Sequence, residues 1–154
     1  VLSRLTVSRM PNPIVVSVPH SGTRFIKERL GVRDHVHTNA SWTKLWAEVE
    51  GRHIIVPLRS PADVWRSWCR RWPDKEVLNW APSFFVSWTV LHTLDQLCEL
   101  DVICIDEQKD PRITDWRAVG DQDANNGNWK LHKVDLRALY KLPIVERHFG
   151  SWAN

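Results

Sequence analysis

The sequence has no apolar run long enough to cross a membrane. Its uncharged apolar stretches end after a few residues at a charge or a proline, whereas a spanning helix needs about 20 apolar residues. The first residues, VLSRLTVSRMPNP, contain no continuous apolar segment and no small-residue cleavage pattern. We therefore expect neither a signal peptide nor a membrane partner.

Cysteine is also scarce. The three cysteines, Cys69, Cys98 and Cys104, are an odd number and form no CxxC pair. Two of them lie in apolar helical or strand patterns, which indicates buried reduced thiols rather than a disulfide framework. This usage favours a cytoplasmic protein.

There is no strong excess of either charge. The formal net charge is +3, which predicts no general affinity for nucleic acid. Internal repeats, low-complexity tracts and linkers are absent as well, so the 154 residues are expected to form one domain spanning 1–154. What the chain has in abundance is tryptophan, with ten residues, most of them expected in the core and some in a ligand pocket.

Apolar patterns alternate between strands and helices along the chain. The predicted strands are Ile14–Val18, His35–His37, His53–Leu58 and Asp101–Asp106. The predicted helices are Thr23–Leu30, Trp42–Val49, one capped by Ser60 and closed by Pro73, Phe84–Leu100, and Val134–Phe149 with a break at Pro143. Residues 73–82 are expected to form a loop, and residues 107–128 are polar and without periodicity. This alternation predicts an α/β fold, a three-layer sandwich whose mainly parallel sheet binds ligands at the carboxyl ends of its strands.

The stretch VVSVPHSGTRF, residues 15–25, passes from a buried strand into a helix. Backbone N–H groups at a helix start carry partial positive charge and suit a phosphate or sulfate. Gly22 allows close backbone approach, and the hydroxyls of Ser21 and Thr23 add donors. The alternative is a plain strand-to-helix turn capped by Ser21.

A second stretch, residues 59–67, begins where the third strand ends. Arg59 is expected at the same sheet edge as the first turn, and Ser67 lies two helical turns after the Ser60 cap. An arginine and a hydroxyl that converge there can hold a second phosphate, the arginine through two parallel hydrogen bonds. Taken alone, the stretch is equally explained by an arginine paired with a carboxylate and a solvent-facing serine.

Together the two stretches resemble sulfotransferases that use 3′-phosphoadenosine-5′-phosphosulfate (PAPS). Pro19-His20-Ser21-Gly22-Thr23-Arg24-Phe25 is similar to their Pro-Lys-Ser-Gly-Thr-x-Trp loop, and residues 59–67 match Arg-x-Pro-x-Asp-x-x-x-Ser. A weaker match, Gly127 to His132, resembles the family's late Gly-Asp-Trp-Lys-x-His segment, without the basic residues that usually precede it. The resemblance implies a P-loop nucleotide-kinase-like sulfotransferase fold, in a short and divergent member.

The resemblance also assigns roles to residues. It implies that the nucleotide is bound by His20, Ser21, Gly22, Thr23, Arg24, Phe25, Arg59 and Ser67. In this assignment residues 20–24 contact the 5′-phosphosulfate, and Arg59 and Ser67 contact the 3′-phosphate. Phe25 replaces the family's tryptophan, and its ring either stacks on adenine or belongs to the core. Trp80 and Trp116, expected in loops, are candidates for contact with the acceptor.

Two histidines are the candidate catalytic residues. His20 stands where the family has lysine and would stabilise charge on the leaving oxygen, a role that Arg24 could take instead. His37, which ends the second strand, is the expected general base, with Glu28 and Asp34 as carboxylate alternatives. His35 and His37 form a His-x-His pair, yet spacing indicates no third ligand, so no metal is predicted.

The sequence thus predicts an enzyme that moves a sulfuryl group from PAPS to a hydroxyl or amine of a glycan or small molecule. The product would be adenosine 3′,5′-bisphosphate. The alternative is a catalytically reduced relative that binds PAPS or the bisphosphate without turnover. A P-loop kinase is disfavoured because no Gly-Lys-Ser/Thr is present. The sequence predicts no particular oligomeric state.

Overall fold

The computed structural model describes residues 11–72, 74–105 and 131–150. Its strands are β1 (Ile14–Ser17), β2 (His35–His37), β3 (Ile54–Leu58) and β4 (Asp101–Cys104). Its α-helices are α1 (Thr23–Leu30), α2 (Trp42–Val49), α3 (Pro61–Arg71), α4 (Asp74–Val77), α5 (Ala81–Leu97) and α6 (Pro143–Phe149). Two short 3₁₀ helices cover Leu78–Trp80 and Leu139–Lys141.

The four strands form one sheet in the order β2-β1-β3-β4. All three neighbouring pairs are parallel, which confirms the predicted α/β class and the parallel sheet. In the register of β1 with β2, Val15 lies beside His35 and Ser17 beside His37. The carboxyl ends of β1 and β2 are therefore level with each other, and the residues that follow them share one edge of the sheet.

Helices cover both faces of the sheet. The larger apolar cluster lies on the face to which β1 contributes Ile14 and Val16, and α2, α3, α5 and α6 pack there. The other face carries Val15 and Ile55, against which α1 packs Ile26 and Leu30. Because side chains alternate along a strand, β1, β3 and β4 contribute to both clusters, and β2 contributes Val36 to the larger one. The result is the expected arrangement of helix, sheet and helix layers.

Local signals fixed several helix ends. Helix α1 occupies the predicted residues because glycines in the left-handed region stand at both of its ends, Gly22 and Gly31. Helix α2 begins after Ser41, whose side chain accepts the Lys44 N–H. Strands β1 and β3 are each one residue shorter than predicted, and α3 ends at Arg71.

The prediction of a loop over residues 73–82 was wrong. Helix α4, a 3₁₀ turn and the start of α5 lie within this range, and α5 begins at Ala81 rather than at Phe84. Pro82 occupies the first turn of α5, where a proline loses no helical hydrogen bond. The ring of Trp80 stacks on that of Trp72, 5.6 Å between centroids, so Trp80 does not lie in a polar loop.

The helix predicted over Val134–Phe149 is also shorter. Residues 131–136 have no regular structure, and the helix itself begins at Pro143. The carboxylate of Asp135 accepts the backbone N–H of Arg137, a local bond that competes with helix formation. Residues 106–130, with Trp116 and most of the late Gly127–His132 segment, lie outside the described residues.

Two expectations from the composition concern membrane-spanning helices and the cysteines. None of the helices in the described ranges combines the length and the apolar character that crossing a bilayer requires. The three cysteines, which all lie in described ranges, form no disulfide with one another, and burial raises the pKa of Cys98.

Candidate functional site

The sheet changes its direction of winding between β1 and β3. From β1 the chain moves to β2 on one side, and it then crosses to β3 on the other side of β1. In open parallel sheets this switch point opens a crevice at the carboxyl ends of the two central strands. The loop after β1 and the residues after β3 therefore meet at one place, and these are the two stretches that the sequence analysis singled out.

The loop after β1 has an unusual backbone. His20 has φ 70° and Gly22 has φ 83°, so two of its residues lie in the left-handed region. A non-glycine residue there costs about 1–2 kcal/mol, and the surrounding contacts must hold it in place. Alternation of right- and left-handed residues turns successive N–H groups toward a common point, an arrangement that binds anions.

The start of α1 is open to a ligand. Its N-cap residue is Gly22, no side chain within the described ranges caps it, and its first turn carries no acidic residue. The first hydrogen bond of the helix runs from the Ile26 N–H to the Gly22 carbonyl. The N–H groups of the three residues before Ile26 therefore take no part in the helical hydrogen bonding. Their partial positive charge faces the crevice.

The start of α3, at the same edge, is closed. The Ser60 hydroxyl accepts the Asp63 N–H and donates to the Asp63 carboxylate, and the Tyr140 hydroxyl accepts the Ala62 N–H. The negative charge of Asp63 in this first turn disfavours a bound anion. Of these two helix starts, the one after β1 is therefore the candidate anion site.

Two buried hydroxyl groups at this edge have no hydrogen-bond partner within the described part of the chain. They are Ser21 Oγ, in a residue only 1% exposed, and Thr38 Oγ1, in a residue with no exposure. Buried polar groups are normally hydrogen-bonded, and an orphan that persists indicates an absent ligand or water. Ser21 directly precedes the open helix start. The alternative prediction, that Ser21 caps α1, is wrong because the cap residue is Gly22.

The second stretch and the residue that follows it, Trp68, contact the first loop at three points. Arg59 Nη1 donates to the His20 carbonyl at 3.4 Å, and the Trp68 indole N–H donates to the Pro19 carbonyl at 3.0 Å. His20 Nδ1 and Ser67 Oγ are hydrogen-bonded at 3.0 Å, and Ser67 is 4% exposed. The structure therefore brings His20, Arg59 and Ser67 together, and the same contacts hold His20 in its left-handed conformation.

His37 is joined to the loop from the other side. Its Nδ1 lies 3.4 Å from Ser17 Oγ, and the Ser17 hydroxyl is hydrogen-bonded to the hydroxyl of Thr23 in the first turn of α1. This contact follows from the register, since Ser17 and His37 are paired across the two strands. The side chains of His37, Ser17 and Thr23 thus connect the expected general base to the loop after β1, the candidate anion loop.

His35 and Lys27 complete this cluster. The rings of His35 and His37 lie 5.3 Å apart on the same side of β2, as predicted, and the Lys27 ammonium donates to His35 Nδ1 at 2.8 Å. Burial lowers the pKa of His37, and the His35 ring adds to this effect. The pKa of His35 is lowered by burial and by the charge of Lys27. Both imidazoles therefore favour the neutral form that a general base requires.

The remaining predicted residues occupy different positions. Arg24 is exposed in the first turn of α1, and Phe25 packs partly buried against the smaller apolar cluster. Glu28 is exposed on α1. Asp34 accepts a hydrogen bond from Arg52 at 2.7 Å and precedes β2, so it lies at the amino edge of the sheet, away from the loop. This position excludes Asp34 as a base at the crevice.

Sequence reasoning missed Ser17, Lys27 and Trp68 as members of the site. The sequence pattern could have indicated two of them, because Ser17 is the last residue of β1 and Lys27 lies one helical turn after Thr23. Trp68 was assigned to the core, and its ring does pack on Phe84 while its N–H reaches the loop. At the end of the late segment, the His132 carbonyl accepts the indole N–H of Trp65 at 2.7 Å. Among the described residues no group of three or more potential ligands is arranged to hold a metal ion.

Replacement of Gly22 tests the geometry of the loop. A Cβ at this position would overlap the Cδ1 of the buried Ile105, whereas a Cβ at Gly31 (φ 69°) has no neighbour within 4 Å. We expect Gly31→Ala to lower the free energy of unfolding by about 1–2 kcal/mol, the cost of the left-handed conformation. Gly22→Ala should cost more, because the steric overlap is added. Urea denaturation measures both.

A double variant isolates the steric part of the destabilisation that Gly22→Ala causes. Ile105→Val removes the Cδ1 atom with which the new Cβ would collide. Gly22→Ala combined with Ile105→Val should therefore be less destabilised than the sum of the single variants. If the two losses simply add, Ile105 does not restrict this turn.

The lowered histidine pKa values predict a pH dependence of stability. In the unfolded chain both imidazoles titrate near 6.5, and in the folded protein they titrate at lower pH. Between the folded and the unfolded pKa values the unfolded state therefore binds more protons. The contribution of the two histidines to the free energy of unfolding is present in full above pH 6.5 and decreases as the pH drops below it. Urea denaturation at pH 5 and pH 7 measures the loss. His35→Gln combined with His37→Gln should reduce it, and an equal loss in that variant would contradict the assignment.

We compared the chain with models of protein families, with curated proteins and with solved structures, and none of them matches it.

Proposed function

We propose that the protein is a sulfotransferase that moves a sulfuryl group from PAPS to an acceptor hydroxyl or amine. The observation that carries the proposal is the contact between the two stretches that resemble the family's nucleotide motifs. Arg59 and Ser67 both touch His20 of the first loop. A nucleotide with phosphate groups on the 3′ and the 5′ oxygen of its ribose needs two anion sites that lie close together.

The chemistry of the loop supports binding of the 5′-phosphosulfate. The start of α1 offers backbone N–H groups that lie outside its helical hydrogen bonds, and the buried Ser21 hydroxyl has no partner within the described residues. Thr23 adds a second hydroxyl, and Arg24 adds positive charge in the same turn. An anion placed here would receive several hydrogen bonds without displacing an existing cap.

Arg59 and Ser67 would hold the 3′-phosphate. A guanidinium supplies two parallel hydrogen bonds to a phosphate, and a hydroxyl both donates and accepts. Ser67 can therefore keep its bond to His20 while it contacts the nucleotide. Phe25, partly buried beside the loop, is the residue proposed to stack on adenine.

For the transfer step, charge builds on the oxygen that bridges phosphorus and sulfur as the S–O bond breaks. In this proposal a protonated His20 stabilises that charge, with Arg24 as the neighbouring cation. His37, which favours its neutral form, takes the proton of the attacking acceptor. We propose that the enzyme works in the cytoplasm, where PAPS is available and cysteines stay reduced.

Isothermal titration calorimetry with adenosine 3′,5′-bisphosphate tests the proposal. We expect binding of the bisphosphate and much weaker binding of ATP, and turnover of radiolabelled PAPS with an acceptor panel should follow. No binding of the bisphosphate would overturn the proposal, and preference for ATP would indicate a kinase. Binding without any transfer would favour the second candidate, a nucleotide-binding relative that has lost turnover.

A further inference from the structure

A polar cleft lies beside the outer strand β2. It has a volume of about 240 Å³, and its polar wall consists of His35, His37, Asn39, Lys44 and Glu48. The cleft thus extends from His35 and His37 on β2 to the side of α2 that carries Lys44 and Glu48. Sites that enclose whole drug-sized ligands measure about 300–1,000 Å³. This cleft accordingly suits a single ring of a larger molecule.

The lining gives the cleft its chemical preference. Among the described residues its apolar part is limited to Val36 and Ala40, and none of the tryptophans in the described ranges lines it. A flat apolar acceptor such as a phenol would leave the imidazole, amide, ammonium and carboxylate groups without partners, which is costly once water is displaced. The cleft therefore favours a ligand that both donates and accepts hydrogen bonds around its edge.

Lys44 and Glu48 narrow this preference further. They lie four residues apart on α2 and so face the same side of the helix. Within the described residues neither side chain forms a hydrogen bond or an ion pair, so both are available to a ligand. Because the two charges are opposite, the pair does not select an anion or a cation. One hydroxyl that accepts from the ammonium and another that donates to the carboxylate would satisfy both groups.

The cleft shares a side chain with the anion loop. His37 lines the cleft, and on its other side its Nδ1 contacts Ser17, which is bonded to Thr23 of the loop. Ser17 is the hydrogen-bond partner of this ring among the described residues. The Nε2 atom of His37 is therefore available to a hydroxyl group in the cleft.

We propose that the cleft binds one sugar ring of a neutral carbohydrate acceptor, with Lys44 and Glu48 as the residues that select it. This inference rests on the proposed sulfotransferase function and names its substrate class. In the transfer step the sugar hydroxyl gives its proton to His37 Nε2, and its oxygen forms a new bond to sulfur. The bond between sulfur and the bridging phosphate oxygen breaks, and adenosine 3′,5′-bisphosphate leaves with the electron pair.

The test compares methyl glycosides of glucose, galactose, mannose and N-acetylglucosamine with 4-nitrophenol and 2-naphthol. With histidine-labelled protein saturated with adenosine 3′,5′-bisphosphate, a glycoside should shift the imidazole NMR signals of His35 and His37. The same glycoside should accept label from radiolabelled PAPS, and the phenols should not. Lys44→Ala and Glu48→Gln should each raise the KM for it by about tenfold or more, with the affinity for the bisphosphate unchanged.

A matched control is Lys141→Ala, which removes an exposed lysine from the 3₁₀ turn before α6. It should leave the KM unchanged, and thermal unfolding should show that all three variants are folded. Preference for the phenols, or an unchanged KM in both cleft variants, would overturn the inference while nucleotide binding stands. If the bisphosphate fails to bind, the proposed function fails. The sugar-binding role of the cleft is then tested separately in the nucleotide-free protein, where the absence of any shift in the NMR signals of His35 and His37 on addition of the glycosides would overturn it.

Discussion

Arg59→Ala should abolish most of the affinity for adenosine 3′,5′-bisphosphate. Truncation of one partner of a hydrogen-bonded charge pair costs about 2–5 kcal/mol, so the dissociation constant should rise by about 30-fold or more. Arg59→Lys should recover part of the loss, because an ammonium keeps the charge but not the two parallel hydrogen bonds. Calorimetry measures all three proteins.

Two comparisons separate loss of the phosphate contact from disturbance of the loop. Arg66→Ala removes the same charge from the exposed face of α3 and should bind like the wild type. Arg59 also donates to the His20 carbonyl, so a loosened loop could weaken any nucleotide. Adenosine 5′-monophosphate, which lacks the 3′-phosphate, resolves this. The wild type should prefer the bisphosphate strongly, and Arg59→Ala should bind the two nucleotides alike. A preserved preference would place the 3′-phosphate elsewhere.

The elements that the sequence predicted best are those whose ends depend on neighbouring residues alone. Helices α1 and α2 lie at their predicted bounds because Gly31 after α1 and Ser41 before α2 are local signals. The start of α5 was missed because the predicted loop extended to Pro82, although a proline in the first turn is a start signal. The extended segment before α6 was missed because a helical apolar period does not reveal that Asp135 bonds the Arg137 N–H.

The candidate site was predictable as a place but not as a set of contacts. Parallel topology puts the ends of β1 and β3 at one edge, so the meeting of the two stretches followed from the strand assignment. The left-handed conformation of His20 and its bond to Ser67 could not be predicted, because they depend on how α3 packs against the loop. The contact of His37 with Ser17 required the exact register of two strands, which no local pattern encodes.

His37→Gln should lower kcat by about 10²–10⁴-fold, the usual contribution of a positioned general base. Glutamine can keep a hydrogen bond to Ser17 but cannot take a proton, so the affinity for adenosine 3′,5′-bisphosphate should change by less than about twofold. His148→Gln is the control, because that ring bonds the Ile144 carbonyl within α6, outside the cluster. Radiolabelled PAPS measures turnover.

The pH profile distinguishes a base from a merely structural ring. Burial lowers the pKa of His37, so wild-type kcat/KM should rise with pH through a value below 6.5. The residual activity of His37→Gln should lack that rise. An unchanged kcat would exclude His37 and leave Glu28 of the original carboxylate candidates, since Asp34 is paired with Arg52 at the opposite edge of the sheet. The histidine is favoured over Glu28 because hydrogen bonds link His37 through Ser17 to Thr23 of the anion loop, whereas Glu28 lies exposed on α1.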